Sequence, residues 1–540
     1  MLGQRARDFG RLRREEYDVL VVGGGATGAG TALEAASRGL RTALVERHDF
    51  ASGTSSRSTK LVHGGVRYLE QAVRHADRSQ FHLVREALRE RALLLANAPH
   101  LARALALLTP IYGALELPYY FTGLKLYDIL AGRANLKPSR LIGRDQAVER
   151  FPMLRHEGLR GAVEYHDGQF DDARMNVALA LTAAREGAVV LNYAEVTELT
   201  KRAGRVIGAV VRGSLPGDPG PVEVAARVVV NATGPFADGL RRIDDPSTPE
   251  ILETSSGVHI VLPARFSPPD TGLLIPKTED GRVLFLLPWL GHTLVGTTDN
   301  PAPVQEDPRA SEEDVAYILR HVREYFDLPV ERSDVLSTWS GLRPLVRPDA
   351  IASLEGEVAT HPSARPAAEG GPKATARLSR DHTILVSPTG LVTITGGKWT
   401  TYRRMAEDTI DMAIHHAALA PTKESVTSHL KLVGAEEFQD DGGVRLTSTF
   451  GLPIDVAAHL SAAYGDRAEV VARLASAGLR ERLAPGLPYL EAEVVYARDH
   501  EYAHSAADVL ERRLRLGFLD TRAAAAAQER VQALLQTRAP

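Results

Sequence analysis

The apolar positions near the start of the chain change period twice over a short distance. Residues 19–22 form a continuous apolar run, as a strand buried on both faces of a parallel sheet requires. Residues 29–38 place small apolar side chains at helical spacing, and residues 42–45 form a second apolar run. The pattern predicts a strand, a helix and a strand in close succession.

The rest of the chain mixes both periods. Residues 71–150 are predicted to be mostly helical, with a helical apolar pattern in 81–96 and cap helices in 101–117 and 119–130. Residues 172–186 and the region from about 412 to the end are also predicted to be helical. Residues 354–376 are rich in Pro, Gly and Ala and predict an exposed insertion. The predicted strands cover residues 228–230, 259–262, 283–288, 293–296, 383–386 and 391–398.

A glycine motif lies between the first strand and the first helix. Gly23, Gly25 and Gly28 follow the spacing Gly-x-Gly-x-x-Gly, and Glu46 ends the second strand. In this context the glycines allow a tight turn, close approach of a pyrophosphate, and close packing of helix on strand. The helix N-terminus favours the anion, and Glu46 can accept hydrogen bonds from a ribose. The motif predicts a bound dinucleotide, and the alternative is an ordinary glycine-rich turn.

Three later segments favour FAD over NAD. Residues 47–69 are rich in Ser, Thr and Gly and then basic, which suits a loop along a cofactor. Residues 228–234 form a strand ending in small residues, and residues 393–398 form a strand that runs into a Gly pair and a helix facing the flavin. No second fingerprint follows a strand and there is no cysteine, so we expect the substrate itself to supply the electrons. The predicted FAD contacts are Gly23, Gly25, Ala26, Thr27, Gly28, Glu46, Arg47, Thr54, Ser55, Ser58, Thr59, Lys60, Leu61, His63, Gly64, Gly65, Val196, Ala232, Thr233, Gly234, Gly397, Lys398, Trp399 and Thr400.

The composition limits the kinds of partner that the chain is expected to bind. The chain has 540 residues, a net charge of −4 and 0 cysteines, which leaves room for two or three domains and excludes a disulfide scaffold. We expect neither a metal nor a nucleic-acid partner. The basic N-terminus lacks an apolar core, which favours a frayed tail over an anchor on anionic lipid. No apolar run is long enough to span a bilayer, but one aromatic patch suits a membrane surface: Tyr119, Tyr120, Phe121, Leu124, Lys125, Leu126 and Tyr127.

Long motifs spread over nearly the whole chain match one known family. They cover residues 50–69, 165–169, 172–176, 231–235, 296–299, 340–344, 379–382, 396–403 and 512–520. In these motifs the chain resembles the FAD-dependent (aerobic) glycerol-3-phosphate dehydrogenases. The 354–376 insertion departs from the family pattern.

The resemblance implies a fold class, a reaction and a set of partners. The fold is α/β: a Rossmann-like FAD domain similar to that of D-amino-acid oxidase, a strand-rich substrate or cap domain, and an all-helical C-terminal domain. The reaction oxidises sn-glycerol 3-phosphate to dihydroxyacetone phosphate, with hydride transfer from C2 to flavin N5 and electrons passed to a respiratory quinone. The enzyme is then a cytoplasmic homodimer, peripheral on the inner face of the cell membrane. The alternatives are a glycerophosphate oxidase that uses oxygen, an amino-acid oxidase, and a non-redox dinucleotide-binding or interaction module.

These expectations set the predicted domain limits. Residues 1–16 form an arm, and residues 412–540 form the helical C-terminal domain, to which we assign a structural role. The FAD-binding domain comprises residues 17–80, 160–240 and 377–411. The substrate or cap domain comprises residues 81–159 and 241–376.

The matching motifs also supply candidates for holding the substrate phosphate. They are Arg67, Tyr68, Arg343, Arg380 and Lys398. Guanidinium groups bind phosphate bidentately, and lysine acts as a point charge. A structural salt bridge, or core packing for the tyrosine, is the alternative in each case.

The predicted catalytic residues are His63, His259, Arg343 and Lys398. Either histidine suits a general base, because neutral imidazole accepts a proton near neutral pH and nearby cations keep it neutral. A histidine that only supports the site is the alternative for both. Lys398 alternatively stabilises the anionic reduced flavin instead of binding phosphate.

Overall fold

The computed structural model describes residues 2–65, 78–113, 116–276, 278, 282–352, 354, 357–360 and 382–537. The strands among them, in chain order, are β1 (Tyr17–Val22), β2 (Thr42–Val45), β3 (Leu61–Val62), β4 (Ala102–Ile111), β5 (Arg140–Gly143), β6 (Gly161–Phe170), β7 (Val189–Leu191), β8 (Ala194–Arg202), β9 (Arg205–Gly213), β10 (Val222–Asn231), β11 (Leu252–Pro263), β12 (Thr271–Ile275), β13 (Leu284–Trp289), β14 (His292–Gly296), β15 (Asn300–Pro301), β16 (Ser337–Val346), β17 (Glu357–Thr360), β18 (His382–Val386) and β19 (Val392–Gly396).

The helices surround and extend these strands. In chain order they are α1 (Leu2–Arg14), α2 (Ala26–Ser37), α3 (Arg78–Asn97), α4 (Glu116–Ala131), α5 (Arg144–Arg150), α6 (Asp172–Arg185), α7 (Ala237–Asp244), α8 (Glu312–Tyr325), α9 (Pro348–Ala352), α10 (Tyr402–Ala417), α11 (Gly442–Phe450), α12 (Ile454–Tyr464), α13 (Ala468–Ser476), α14 (Glu491–His500), α15 (Leu516–Leu519) and α16 (Thr521–Gln536). A π-helical turn, Asp508–Arg513, precedes α15.

Two sheets organise the molecule. The first has nine strands, in the order β17-β18-β19-β10-β1-β2-β7 with β8 and β9 extending from β10, and β1 pairs in parallel with both β2 and β10. The second has ten strands, in the order β15-β11-β14-β13-β12-β4-β6-β3, with β16 on β11 and β5 on β6. The α/β fold class with a helical C-terminal region is therefore confirmed.

The carboxyl ends of the parallel strands place the glycine motif. Val19, Val21, Val228 and Val230 are fully buried or nearly so in the core between the first sheet and α2. Helix α2 packs against α6 and α10, which cover the same face. The loop after β1 therefore opens at the edge where β10 and β19 also end, as expected for a nucleotide site in a doubly wound sheet.

The prediction of cap helices in residues 101–117 is wrong. Ala102–Ile111 is strand β4, which pairs antiparallel with β6 along ten residue pairs and in parallel with β12. Its apolar side chains are buried on both faces, so the run shows no alternation that would separate a strand from a helix. Strands β3 and β6, which the predicted limits assign to the FAD domain, pair in this second sheet; the domain limits themselves stay predictions.

The prediction of a frayed N-terminal tail is also wrong. Leu2–Arg14 is a helix whose Phe9 and Leu12 are buried beside the edge of the first sheet. Arg5 donates from Nε to Asp218 at 2.6 Å and from Nη1 to the carbonyl of Asn192 at 2.7 Å. These contacts fix the helix to the nucleotide domain.

The C-terminal region is tied to the nucleotide domain by a buried carboxylate. Asp49 lies in the loop after β2, and its Oδ2 accepts from Arg512 Nε at 2.6 Å and from Arg513 Nη1 at 2.7 Å. Burial alone would raise the pKa of Asp49, but the two guanidinium groups outweigh it and lower that pKa to about 2. The carboxylate is therefore charged throughout the neutral range, and its attraction is lost only as the pH falls below about 4.

Asp49→Asn is expected to lower the free energy of unfolding by about 3 kcal/mol, because it removes the buried carboxylate that two buried guanidinium groups share, although Arg512 keeps its pair with Asp508 at 2.8 Å. Chemical denaturation at pH 7 measures the loss. The matched control is Asp455→Asn, which breaks the exposed pair with Arg482 (2.6 Å) and is expected to cost less than about 1 kcal/mol. Equal losses in the two variants would contradict the argument.

Candidate active site

The first cavity has a volume of about 800 Å³ and begins at the glycine motif. It follows the carboxyl ends of β1, β2, β10 and β19. The predicted cofactor contacts that line it are Gly23, Gly25, Ala26, Thr27, Glu46, Arg47, Thr54, Ser55, Val196, Ala232, Thr233, Gly234, Gly397, Lys398 and Trp399. The chain thus brings these separate sequence motifs together around one elongated space.

The glycines keep the backbone close at the turn. A Cβ on Gly28 would lie 1.8 Å from the carbonyl oxygen of Gly23, so α2 can approach β1 only without a side chain there. Gly23 has φ +109°, which favours glycine. Helix α2 starts at Ala26, so its N-terminus points into the cavity, where it favours a phosphate anion.

Glu46 orients the turn from the end of β2. Its Oε2 accepts from the backbone N–H of Gly24 at 2.6 Å, and its Oε1 accepts from His48 N–H at 2.8 Å. Burial raises the pKa of Glu46, and these hydrogen bonds oppose that rise. Each carboxylate oxygen keeps a second lone pair that can accept from a ribose hydroxyl.

The loop of residues 54–59 forms the other wall. Ser55 Oγ accepts from Ala26 N–H at 2.9 Å, and the Ser55 carbonyl accepts from Trp399 Nε1 at 2.9 Å. The backbone N–H of Ser58 and its Oγ both donate to Asp172 Oδ2, at 2.9 and 2.7 Å. The loop is therefore held from α2, from the turn after β19 and from α6.

The second cavity adjoins the first and has a volume of about 780 Å³. Thr54, Arg57, Gly397, Lys398 and Trp399 line both, so the two spaces meet at this wall. The predicted site residues that line the second cavity are Thr54, Ser58, Thr59, Leu61, His63, Gly65, His259, Arg343, Gly397, Lys398, Trp399 and Thr400. A group bound at the junction is reachable from both sides.

Arg343 projects into the second cavity from β16. Its Nη2 donates to Thr297 Oγ1 at 2.9 Å, and its Nη1 donates to the Thr298 carbonyl at 3.2 Å. The carboxylate of Asp299 lies 3.4 Å from Nη1. These contacts hold the guanidinium in a fixed orientation at the cavity wall.

The two predicted histidines differ in their surroundings. His259 on β11 is only 1% exposed, stacks on Trp339 with ring centroids 4.1 Å apart, and has Nε2 at 3.0 Å from Thr59 Oγ1. Burial, followed by the nearby charges of Lys60 and Arg343, holds the pKa of His259 well below its usual range, so the ring is neutral. His63 is half-buried, and its ring lies 6.4 Å from that of Phe285.

Some predicted site residues lie elsewhere. Arg67, Tyr68 and Arg380 are outside the residues that the structure describes. Lys60 and Gly64 line neither cavity: Lys60 Nζ points to Asp172, and Gly64 packs against Tyr127. Gly28 lies within α2 behind the cavity surface.

Sequence reasoning missed Arg57, which lines both cavities. Its Nη1 donates to the carbonyls of Ser340 at 3.1 Å and Pro308 at 3.3 Å, so it joins the cofactor loop to β16. It also missed Thr297 and Asp299 as partners of Arg343. Arg57, Thr297 and Asp299 all lie inside motifs that carry the family resemblance, and those motifs are the signal that could have identified them.

The aromatic patch is smaller than predicted. Leu124 and Tyr127 are buried on the inner face of α4, and Tyr127 donates to Asp167 and accepts from Gly64 N–H at 2.6 Å. Tyr119 remains 46% exposed, and Tyr120 is half-buried at the rim of the second cavity. Within the described ranges, no helix combines the length and the apolar character that a bilayer span demands.

Comparison with known families covers both parts of the chain. Residues 18–403 match the family described as FAD dependent oxidoreductase, and residues 425–539 match the C-terminal domain of alpha-glycerophosphate oxidase. FAD is therefore the cofactor, and the first cavity has the shape and the glycine turn to hold it.

Individual relatives agree with the family match. A mitochondrial glycerol-3-phosphate dehydrogenase of Arabidopsis thaliana is 49% identical over 542 residues, which are 96% of this chain and 82% of that protein. The human mitochondrial glycerol-3-phosphate dehydrogenase is 47% identical over 96% of this chain and 70% of its own length. Each match therefore covers nearly the whole of this chain.

Solved structures share the architecture. Glycerol-3-phosphate dehydrogenase from Bacillus halodurans, complexed with FAD, superposes with a TM-score of 0.74 at 29% identity, and the match covers 99% of both chains. L-alpha-glycerophosphate oxidase from Mycoplasma pneumoniae shares the fold at 18% identity and a TM-score of 0.56, over 77% of this chain and 98% of that one. On the match of residues 18–403 and the identity to full-length relatives, the chain belongs to the family of FAD-dependent glycerol-3-phosphate dehydrogenases.

Proposed function

We propose that this enzyme oxidises sn-glycerol 3-phosphate to dihydroxyacetone phosphate and passes the electrons to a membrane quinone. The observation that carries the proposal is the second cavity, where an oriented arginine and a neutral histidine adjoin the FAD cavity. The names of the relatives supply the substrate. When bound at the junction, FAD supplies the acceptor for the hydride that leaves C2.

In this proposal the cations bind the phosphate end of the substrate. Arg343 presents a guanidinium whose orientation is fixed by Thr297 and Thr298, and Lys398 lies at the junction of the two cavities. A dianion in this pocket gains charge-assisted hydrogen bonds, which are stronger than neutral ones. Binding of the phosphate aims C2 of the substrate at the wall that both cavities share.

His259 is the proposed acceptor of the C2 hydroxyl proton, and His63 is the second candidate. A base must be neutral before it acts, and the surroundings of His259 meet that requirement. Its Nε2 faces Thr59 Oγ1, which also lines the cavity, so the hydroxyl of Thr59 orients the ring toward the substrate space. The stack on Trp339 keeps water from the other face of the imidazole.

An apolar region of the second cavity supports the quinone as acceptor. A three-carbon phosphate fills only a small part of about 780 Å³. Apolar and aromatic residues make up much of its lining, among them Pro118, Tyr119, Tyr120, Leu126, Leu274, Pro276, Val283 and Phe285. Such a lining suits a ring with an isoprenoid tail and gives no special reason to favour oxygen.

An anaerobic absorbance spectrum tests the proposal. The flavin band of the purified enzyme should bleach on addition of sn-glycerol 3-phosphate, and a quinone analogue should restore it faster than oxygen does. A flavin that does not bleach would remove the substrate assignment, and faster recovery with oxygen would favour the oxidase alternative. The homodimer stays a prediction that light scattering can test.

Arg343→Met is expected to lower kcat/KM for sn-glycerol 3-phosphate by about 100-fold, because hydrogen bonds to a charged group contribute about 1.5–3 kcal/mol. Stopped-flow flavin reduction measures the loss. Arg343→Lys, which keeps the charge but not the planar pair of donors, should lie between wild type and Arg343→Met. Glycerol, which has no phosphate, is the control substrate. An equal loss with glycerol would contradict a role in phosphate binding.

We also propose that α4 rests on the membrane beside the mouth of the second cavity. Tyr119 is exposed there, and the side chain of Lys125 from the same helix, whose Nζ lies 3.5 Å from Asp128, is 40% exposed. Tyr119→Asp is expected to weaken sedimentation with anionic vesicles several-fold. Val444→Asp, on an exposed position of the C-terminal region, is the matched control. Unchanged vesicle binding by Tyr119→Asp would contradict the proposed surface.

A further inference from the structure

A lysine is buried beneath the cofactor loop. The side chain of Lys60 is 0% exposed, and its Nζ donates to the Ser56 carbonyl and to Asp172 Oδ2, both at 2.7 Å. Burying an ammonium is costly unless it is paired, so such a group needs an explanation. It lines neither of the two cavities, so it does not touch a ligand bound in them.

Aromatic rings connect this ammonium to the substrate space. Lys60 Nζ lies 4.4 Å from the ring centroid of Trp339 and 5.2 Å from that of Trp289. Trp339 in turn stacks on His259 with an interplanar angle of 17° and centroids 4.1 Å apart. One tryptophan therefore contacts both the buried cation and the histidine at the cavity wall.

The C-terminal region completes the cluster. Arg515 donates from Nη2 to the Ser56 carbonyl at 2.7 Å and to Asp172 Oδ1 at 3.2 Å. Phe518, in α15, contacts Trp339 edge-on with centroids 5.4 Å apart. Ser56, Asp172 and Trp339 are thus each held from two sides, and one of those sides is the C-terminal region.

Charged groups surround both Lys60 and His259. Asp171, Asp172 and Arg515 face Lys60, and burial lowers the pKa of Lys60 to about 7 despite the opposing Asp172. Lys60 and Arg343 are the charged groups that face His259. Lys60 therefore carries its proton below about pH 7, the range in which a free histidine would also take one.

We propose that Lys60 is a positioning residue, which acts through Trp339 to hold the His259 ring at the cavity wall and in its neutral form. The inference rests on the proposed function, since only a reaction that removes a substrate proton uses this neutrality. It gives Lys60 a role other than direct cofactor contact. It also gives the C-terminal region a part in the chemistry, through Arg515 and Phe518.

The test is the protonation midpoint of His259 in the FAD-loaded enzyme, followed by NMR of ¹³C-labelled histidine. His259→Gln identifies the resonance by its disappearance. Lys60→Met should move the midpoint upward, because a cation that opposes protonation is removed, whereas burial, the larger cause of the low pKa of His259, stays. The acid limb of flavin reduction should move by the same amount. Lys423→Met, at an exposed position, is the control and should change neither.

A second variant covers the case in which Lys60→Met does not fold. Lys60→Met with Asp172→Asn removes the buried pair together, and Arg515, which also contacts Asp172, keeps Asp171 at 3.7 Å. An unchanged His259 midpoint in the folded variants would overturn the proposal for Lys60. Full-rate flavin reduction by His259→Gln would instead overturn the proposed base, and the midpoint comparison would still decide the role of Lys60.

Discussion

Gly28→Ala is expected to give a protein that retains no FAD and has no dehydrogenase activity. The added Cβ would lie 1.8 Å from the Gly23 carbonyl oxygen and 2.9 Å from its carbon. Both are backbone atoms of the turn, so relief requires α2 to move away from β1. That movement displaces the N-terminus of α2, which favours the pyrophosphate.

The flavin content of the purified variant, read from its absorbance and from release by heat, measures this effect. Gly143→Ala is the matched control, since a Cβ at Gly143 meets nothing within 4 Å. The control should retain wild-type FAD content and activity. A Gly28→Ala protein with stoichiometric FAD would show that the turn is less tightly packed than the contacts indicate.

His259→Gln is expected to slow flavin reduction by about 10²–10⁴-fold, the usual contribution of a general base. The wild-type rate should stay constant from about pH 8 down to about pH 6, because the pKa of His259 lies well below 6.5. At lower pH the ring takes a proton and the rate falls. The variant lacks the His259 imidazole, so the acid limb that this ring causes should disappear.

Stopped-flow reduction across this pH range, with FAD content checked in each sample, provides the measurement. His63→Ala is the comparison, and we expect it to cost less than about tenfold because His63 is the second candidate. If His63→Ala were instead the slower variant, the base would be His63. If neither variant lost a hundredfold, proton removal by histidine would be wrong for this enzyme.

Local features of this fold could be predicted from the sequence. The turn between β1 and α2 follows from the glycine spacing, and two side chains that hold it, those of Glu46 and Ser55, lie within thirty residues of it. Strand β4 was missed because an apolar run that is buried on both faces has no period. Helix α1 was missed because its apolar side chains, Phe9 and Leu12, gain a partner only in the folded domain.

The same difference between local and distant contacts applies to the residues of the site. Residues of the cofactor loop, such as Thr54 and Ser55, lie in motifs that the sequence displays directly. The direction of a side chain within that loop is set by distant groups: Lys60 turns toward Asp172, which is 112 residues away. Arg57 is held at both cavities by its hydrogen bond to the carbonyl of Ser340, which is 283 residues away. Such pairings have no local signal, so the sequence could not supply them.

The ion pairs of Asp49 with Arg512 and Arg513 have a consequence for the order of events during biosynthesis. Asp49 leaves the ribosome early, whereas its partners Arg512 and Arg513 follow 463 and 464 residues later. Until then the carboxylate beside the cofactor loop has no arginine partner, although an N-terminal domain generally starts to fold during translation. In nascent chains that stall before residue 512, the loop after β2 would therefore lack both of these ion pairs.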